Sequence, residues 1–184
     1  RIGALLYGSG VEGVIPARGV RGQVLNLLHR LESREPLERA APTDLGELLH
    51  AARQAIPRRS QVFVVSDFLS TPGWERPLGA LAMRHEVIAV RLVDPLEREM
   101  PDLGLITLQD AESGEQLLLD THDVRFRTRF ARAAERREED LRAALGRAGV
   151  DVLELATDDD LVDALRRFAE LRRLRSRLAA GAMR

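Results

Sequence analysis

Apolar positions along the 184-residue chain follow two periodicities, one typical of strands and one typical of helices. Short apolar runs over residues 2–7 and 13–15 flank Gly8-Ser9-Gly10 and predict a hairpin. A continuous β-branched and aromatic run over residues 61–65 predicts a strand buried on both faces. Similar runs over residues 86–93 and 150–155 predict two more strands.

Helical spacing of apolar residues predicts five helices, over residues 19–33, 44–56, 72–82, 123–147 and 158–178. We expect Thr43 and Thr157 to cap the second and the fifth of these helices. Pro57 is expected to end the second helix and Gly149 the fourth.

Residues 96–121 interrupt the alternation of strands and helices. Apolar runs over residues 105–108 and 116–119 flank the polar segment 110–114, which predicts an antiparallel hairpin insertion at a sheet edge. Residues 34–42 carry charges and two prolines and are expected to form a loop.

This order of elements predicts one α/β domain over residues 1–184, with an open, Rossmann-like, mostly parallel sheet and helices on both faces. Ligands of such sheets bind at the carboxyl ends of the strands. The residues to inspect therefore follow Tyr7, surround Thr43, and include Ser66-Asp67 and Asp94.

The amino-acid composition excludes several kinds of catalytic and binding site. All 28 basic side chains are arginine, and they nearly balance 29 acidic ones, so the chain does not coat DNA through net charge alone. The lack of lysine excludes a P-loop lysine, a Schiff-base lysine and a Ser-Lys dyad. The lack of cysteine excludes disulfides, a thiolate nucleophile and Cys-type zinc sites. No apolar run approaches the roughly 20 residues that span a bilayer, and we expect a cytoplasmic protein.

Asp67 and Thr43 are the candidate metal-binding residues. A carboxylate directly after a buried strand points into the crevice, where it can hold a hard cation, and a hydroxyl at the start of the preceding helix can supply a second oxygen. The alternative is purely structural, with Thr43 capping a helix and Asp67 capping a turn. The histidines show no metal-ligand spacing.

Arginines crowd two predicted helices, over residues 123–147 and in the Arg-rich C-terminal segment 166–184. Mixed charges of this kind are typical of a solvated face with ion pairs three or four residues apart. The alternative is docking of an acidic partner or a nucleic acid. Aromatic residues make up only 4% of the chain, which argues against base stacking.

Two segments, in this order along the chain, resemble a von Willebrand factor A-type domain. They are Thr43-Asp44-Leu45 and Val64-Val65-Ser66-Asp67-Phe68. The segments Val90-Arg91-Leu92-Val93-Asp94-Pro95 and Asp110-Ala111-Glu112-Ser113-Gly114-Glu115 are similar to the bacterial family labelled domain of unknown function fifty-eight. The resemblance covers nearly the whole chain.

The resemblance implies an ion site of the metal-ion-dependent adhesion type, holding Mg²⁺ or Mn²⁺. It places one ligand on Thr43 and one on Asp67. The Asp-x-Ser-x-Ser loop that completes such a site is not found in the sequence, so we expect the chain to be truncated at its N-terminus. The missing strand would leave an exposed edge on a central strand.

The resemblance further implies a non-enzymatic protein-interaction module, an adaptor that works with a MoxR-type AAA+ ATPase in assembling or remodelling protein complexes. No small-molecule substrate is expected. One alternative is a metal-dependent phosphodiesterase or nuclease with Asp44, Asp67 and Asp94 as ligands. Another is nucleic-acid binding through the Arg-rich helices.

Overall fold

The computed structural model describes residues 1–19, 21–34, 42–109 and 114–182. Strands and helices alternate in an α/β order, with one hairpin at the start of the chain and a second hairpin inserted before the fourth helix. They are β1 (Ile2–Tyr7), β2 (Val11–Arg18), α1 (Arg21–Glu32), α2 (Leu45–Ala55), β3 (Gln61–Ser66), α3 (Glu75–Ala82), β4 (Glu86–Val93), a short 3₁₀ helix (Pro95–Glu97), β5 (Leu105–Gln109), β6 (Gln116–Asp120), α4 (Val124–Ala148), β7 (Asp151–Ala156) and α5 (Leu161–Ala182).

The central sheet is parallel, with strand order β3-β4-β7. Helices α2, α3 and α4 cover one face, where Leu49, Leu78 and Leu145 pack against Val64 and Ala89. Helix α5 covers the other face, where Phe168 packs against the side chains of β4 and β7. The predicted parallel sheet with helices on both faces is confirmed.

Strand β3 differs from its prediction, because only one of its faces is buried. Val64 lies in the core, but Phe63 and Val65 are 55% and 58% exposed. Within the described residues β3 pairs only with β4, and α5 packs over β4 and β7 instead. An apolar run alone does not separate a central strand from an edge strand.

The predicted N-terminal hairpin is confirmed, although β2 is longer than residues 13–15. Its pairing shifts register between Ile2↔Arg18 and Ala4↔Ile15, and Pro16 falls within this irregularity, where strand pairing tolerates proline. Gly3 faces the same place. A Cβ there would lie 2.6 Å from the Ile15 carbonyl oxygen, so the strands approach too closely for a side chain.

The second hairpin, β5–β6, also forms as predicted, but not at the edge of the central sheet. Among the described residues its strands pair only with each other. Most of its predicted turn, residues 110–113, lies outside the described residues. So do residues 35–41 of the predicted loop, Val20 of the first predicted helix and residues 183–184 of the C-terminal segment.

Both predicted threonine caps are wrong. The carboxylate of Asp44 caps α2 by accepting a hydrogen bond of 3.0 Å from the Glu47 N–H. Asp160 caps α5 in the same way, through the Asp163 N–H at 3.0 Å. In each case an acid closer to the helix takes the position, and its charge also favours the helix dipole. The predicted end of α4 is confirmed, since Gly149 adopts φ +68.

A nearly buried arginine connects the inner face of the sheet to α4. Arg91 of β4 forms ion pairs with Glu138 of α4 and, at 3.2 Å, with Glu154 of β7. Arg98, after the 3₁₀ helix, contacts both carboxylates, and Arg142 lies 3.4 Å from Glu138. The hydrogen bond from Arg91 lowers the pKa of Glu138 below its ordinary value.

His85, in the turn before β4, is the other buried titratable side chain of note. It is 4% exposed, and neither ring nitrogen has a hydrogen-bond partner within the described residues. Burial, together with the charge of Arg84, lowers the pKa of His85 below 6.5. Burial therefore favours the neutral form of this imidazole in the folded protein.

Among the described residues, none of the helices combines the length and the apolar character that crossing a bilayer requires.

We predict that Glu138→Ala lowers the free energy of unfolding by about 3 kcal/mol, the low end of the range for broken buried pairs, because Glu154 still faces Arg91. Urea denaturation followed by circular dichroism measures the loss. Arg142→Ala is the matched control, since it removes an exposed partner of the same glutamate and should cost less than about 0.5 kcal/mol. Equal losses would contradict the role given to Arg91.

We also predict that stability falls as the pH drops below about 6.5, because the unfolded chain protonates His85 and the folded chain resists it. His85→Leu should remove this contribution to the slope of unfolding free energy against pH. An unchanged slope in His85→Leu would show that another group is responsible.

Candidate functional site

The N-terminus of α2 and the loop after β3 are tied together at the carboxyl end of the sheet. The hydroxyl of Ser70 donates to the Thr43 carbonyl and accepts from the Leu45 N–H, both at 2.9 Å. The Thr71 N–H also donates to the Thr43 carbonyl, at 3.0 Å. The structure thus brings together the two predicted segments that contain Thr43 and Asp67.

Tyr7, the single tyrosine of the chain, connects the end of β1 to the same place. Its hydroxyl donates to Glu47 at 2.9 Å and accepts from the Asp44 N–H at 3.3 Å. Partial burial and the bond to the Glu47 carboxylate raise the pKa of Tyr7 above 10.0. The hydroxyl therefore stays protonated and holds the first turn of α2 against the hairpin.

Asp67 is exposed in the loop that directly follows β3. Its Oδ1 accepts hydrogen bonds from the Leu69 N–H at 3.0 Å and from the Ser66 hydroxyl at 3.3 Å. Its Oδ2 accepts none from the described residues, and the Thr43 hydroxyl likewise makes no hydrogen bond with them. We call Thr43, Asp67 and the linking Ser70 the recognition crevice.

The next residue, Phe68, fixes the direction of the Asp67 loop. Phe68 has φ +63, a left-handed backbone conformation that residues other than glycine rarely adopt. Its ring is buried, 5.4 Å from the ring of Trp74 between centroids. The ring packing therefore holds a strained backbone, and strain of this kind persists only where the surroundings impose it.

Two further carboxylates, those of Glu97 and Asp94, lie close enough to Asp67 for their charges to interact. Burial, followed by the charges of Asp67 and Asp94, raises the pKa of Glu97. Asp94 itself caps the 3₁₀ helix through the Leu96 N–H at 2.9 Å. The end of the sheet is thus locally acidic on this side.

These residues do not by themselves fit a Mg²⁺ or Mn²⁺ site. Such an ion takes about six oxygen ligands. In the described part of the chain, no group of three His, Asp or Glu side chains is close enough to hold one. The phosphodiesterase hypothesis also loses support here, since Asp44 and Asp94 each cap a helix.

Sequence reasoning found the two loops but missed Ser70, Tyr7 and Arg91. Tyr7 places a hydroxyl at the end of an apolar strand, and Arg91 places a charge between apolar residues of a strand, so the sequence signalled both. Ser70 carried none, because its role depends on a contact with a segment 27 residues away.

The family model described as "Protein of unknown function DUF58" matches residues 1–140. The chain belongs to this family. The DUF58 chain is 36% identical over 159 residues to an uncharacterized protein of Mycobacterium avium, covering 86% of this chain and 94% of the relative. It is 35% identical over 173 residues to an uncharacterized protein of Mycobacterium tuberculosis, covering 94% of this chain and 54% of the relative. The DUF58 chain therefore spans about half the length of that second relative.

A solved structure shares the fold. The conserved hypothetical protein BatB from Bacteroides thetaiotaomicron matches 95% of the DUF58 chain and 78% of its own chain, with a TM-score of 0.50 and 14% sequence identity. At this identity the match supports the architecture alone.

We predict that Phe68→Gly is more stable than Phe68→Ala by about 1 kcal/mol, because both lose the ring but only alanine keeps the strained backbone. Urea denaturation of the two variants measures the difference. This reverses the usual order of the two residues, in which alanine is the more stabilising. Alanine equal to or above glycine would mean that the backbone at this position is not strained.

Proposed function

We propose that the chain is a non-enzymatic protein-interaction module of von Willebrand A type, an adaptor that works with a MoxR-type AAA+ ATPase in assembling or remodelling protein complexes. The observation that carries the proposal is the recognition crevice, where an exposed carboxylate oxygen of Asp67 and the hydroxyl of Thr43 lie on two loops joined by Ser70. Because an AAA+ partner uses ATP, the proposed location is the cytoplasm.

The crevice suits binding because its groups are already in position. Phe68 holds the Asp67 loop in one conformation, and Ser70 fixes that loop to α2. A partner that donates hydrogen bonds to Asp67 therefore orders few side chains when it binds. Charge-assisted bonds of this kind are about twice as strong as neutral ones.

A dependence on Mg²⁺ or Mn²⁺ is part of the proposal, with Asp67 and Thr43 as the two ligands from this chain. The remaining ligands would come from outside the described residues, since these supply only a partial set. The experiment below therefore compares binding with either ion and with EDTA.

The test is binding of the purified chain to a purified MoxR-type AAA+ ATPase, measured by biolayer interferometry with Mg²⁺, with Mn²⁺ and with EDTA. We expect Asp67→Ala to weaken binding by about tenfold or more, the loss typical of a hydrogen bond to a charged group. Glu170→Ala is the control, since this exposed carboxylate of α5 makes no ion pair with the described residues, and its affinity should stay within about twofold of wild type.

Unchanged affinity in Asp67→Ala would overturn the crevice as the binding site. Equal affinity with EDTA and with either metal would overturn the ion dependence and leave the crevice standing. Hydrolysis of a generic phosphodiester that disappears in Asp67→Ala would overturn the adaptor proposal in favour of a metal-dependent phosphodiesterase.

A further inference from the structure

A small cavity lies between β2 and α1, beside the place where the pairing of the N-terminal hairpin shifts register. Residues 14–16 and Arg18 of β2 line one side of it, and Gln23, Asn26 and Arg30 of α1 line the other. Irregular strand pairing of this kind bends the strand and redirects its side chains. We call this space the hairpin cavity.

Gln23 is the buried polar residue of the hairpin cavity. It is 8% exposed, and its Nε2 donates a hydrogen bond of 3.1 Å to the Pro16 carbonyl. This bond fixes the position of the amide and connects α1 to the irregular part of β2. A side-chain amide nitrogen has two N–H groups, and the second makes no hydrogen bond with the described residues. The amide therefore keeps a donor for a ligand that enters the cavity.

Two arginines give the hairpin cavity a positive charge. Arg18 ends β2, and Arg30 lies in the last turn of α1. Within residues 1–19, 21–34, 42–109 and 114–182 neither of them forms an ion pair, and none of the residues known to line the cavity is acidic. Asn26 accepts a hydrogen bond of 3.2 Å from the Nε of Arg30, which positions this guanidinium and leaves its Nη1 and Nη2 without a partner among the described residues. Guanidinium groups of this kind match the oxygens of carboxylates and phosphates.

The size of the hairpin cavity limits the ligand. Its volume is about 130 Å³. A single water needs about 10–15 Å³ of such space, so the cavity holds on the order of ten water-sized groups. A ligand that fits inside is therefore a small molecule, such as a simple phosphate monoester or a short dicarboxylate. Two negative charges on that ligand would match the two arginines.

We propose that the hairpin cavity binds a small dianionic oxyanion, a phosphate or a dicarboxylate. Arg18 contacts it from β2 and Arg30 from α1, and the free N–H of Gln23 donates a hydrogen bond to it. The oxyanion is a ligand and not a substrate, because none of the side chains shown to line the cavity is a nucleophile or a general base. The cavity shares no residue with the recognition crevice, so this proposal goes beyond the proposed function and stands without it.

The test is isothermal titration calorimetry of the full chain with methyl phosphate, succinate, acetate and succinamide at constant ionic strength. A pH of about 7.5 keeps a phosphate monoester mainly dianionic. We expect methyl phosphate and succinate to bind about fivefold more tightly than acetate or better, because the dianions form one more ion pair. Succinamide has the size of succinate without its charges and should not bind.

Arg18→Gln and Arg30→Gln should each weaken binding of both dianions by about fivefold, the upper end of the effect of one exposed ion pair. The matched control is Arg21→Gln. Arg21 is an exposed arginine of the same helix, it forms no ion pair with the described residues, and it lies nine residues from Arg30 and so on the opposite side of the helix. This variant should bind as wild type does.

Gln23→Glu should abolish binding, because it puts a negative charge beside the oxyanion in a side chain of nearly the same shape. Circular dichroism verifies that each variant folds.

Binding of succinamide as tightly as succinate would overturn the proposal, since charge would not be recognised. Equal weakening by Arg21→Gln and Arg30→Gln would reduce the effect to net charge and would also overturn it. The same holds if neither dianion binds at about 10 mM. A preference for methyl phosphate or for succinate supports the proposal in either direction and identifies which oxyanion the cavity favours.

Discussion

A buried positive charge on the central strand constrains how the neighbouring helix and strand pack against it. Arg91 projects from β4 into the layer between the sheet and α4, where only 10% of its side chain is exposed. A charge in such a place is costly unless carboxylates compensate it. Glu138 and Glu154 provide that compensation, and together they fix α4 and β7 relative to β4. Arg98 extends the network to the segment after β4, from which the β5–β6 hairpin departs.

The sequence predicted the ends of helices correctly where these depend on residues that are neighbours along the chain. Gly149 ends α4 because its backbone turns left-handed, and Pro57 closely follows the end of α2. The errors at helix starts occurred where two nearby residues can both cap the same helix. Thr43 and Asp44 can both cap a helix, and sequence alone did not show that the hydrogen bonds from Ser70 and Thr71 place Thr43 outside the helix.

Burial was harder to predict than secondary structure, because it depends on where neighbouring elements lie. The run over β3 consists of residues suited to a core, yet Phe63 and Val65 remain largely exposed, because α5 packs over β4 and β7 on that face of the sheet and not over β3. For the site, the chemistry of Asp67 could be read from its position after a strand. The left-handed backbone of Phe68 could not, since it depends on packing against Trp74.

Ser70 and Tyr7 give the crevice a mechanical property as well as a chemical one. Ser70 connects the Asp67 loop to the first turn of α2, and Tyr7 connects that turn to β1. The three segments come from distant parts of the chain and share no strand pairing. A displacement of the Asp67 loop would therefore pull on α2 and, through α2, on the N-terminal hairpin. Two hydroxyl groups thus couple the position of the Asp67 loop, through α2, to that of the N-terminal hairpin.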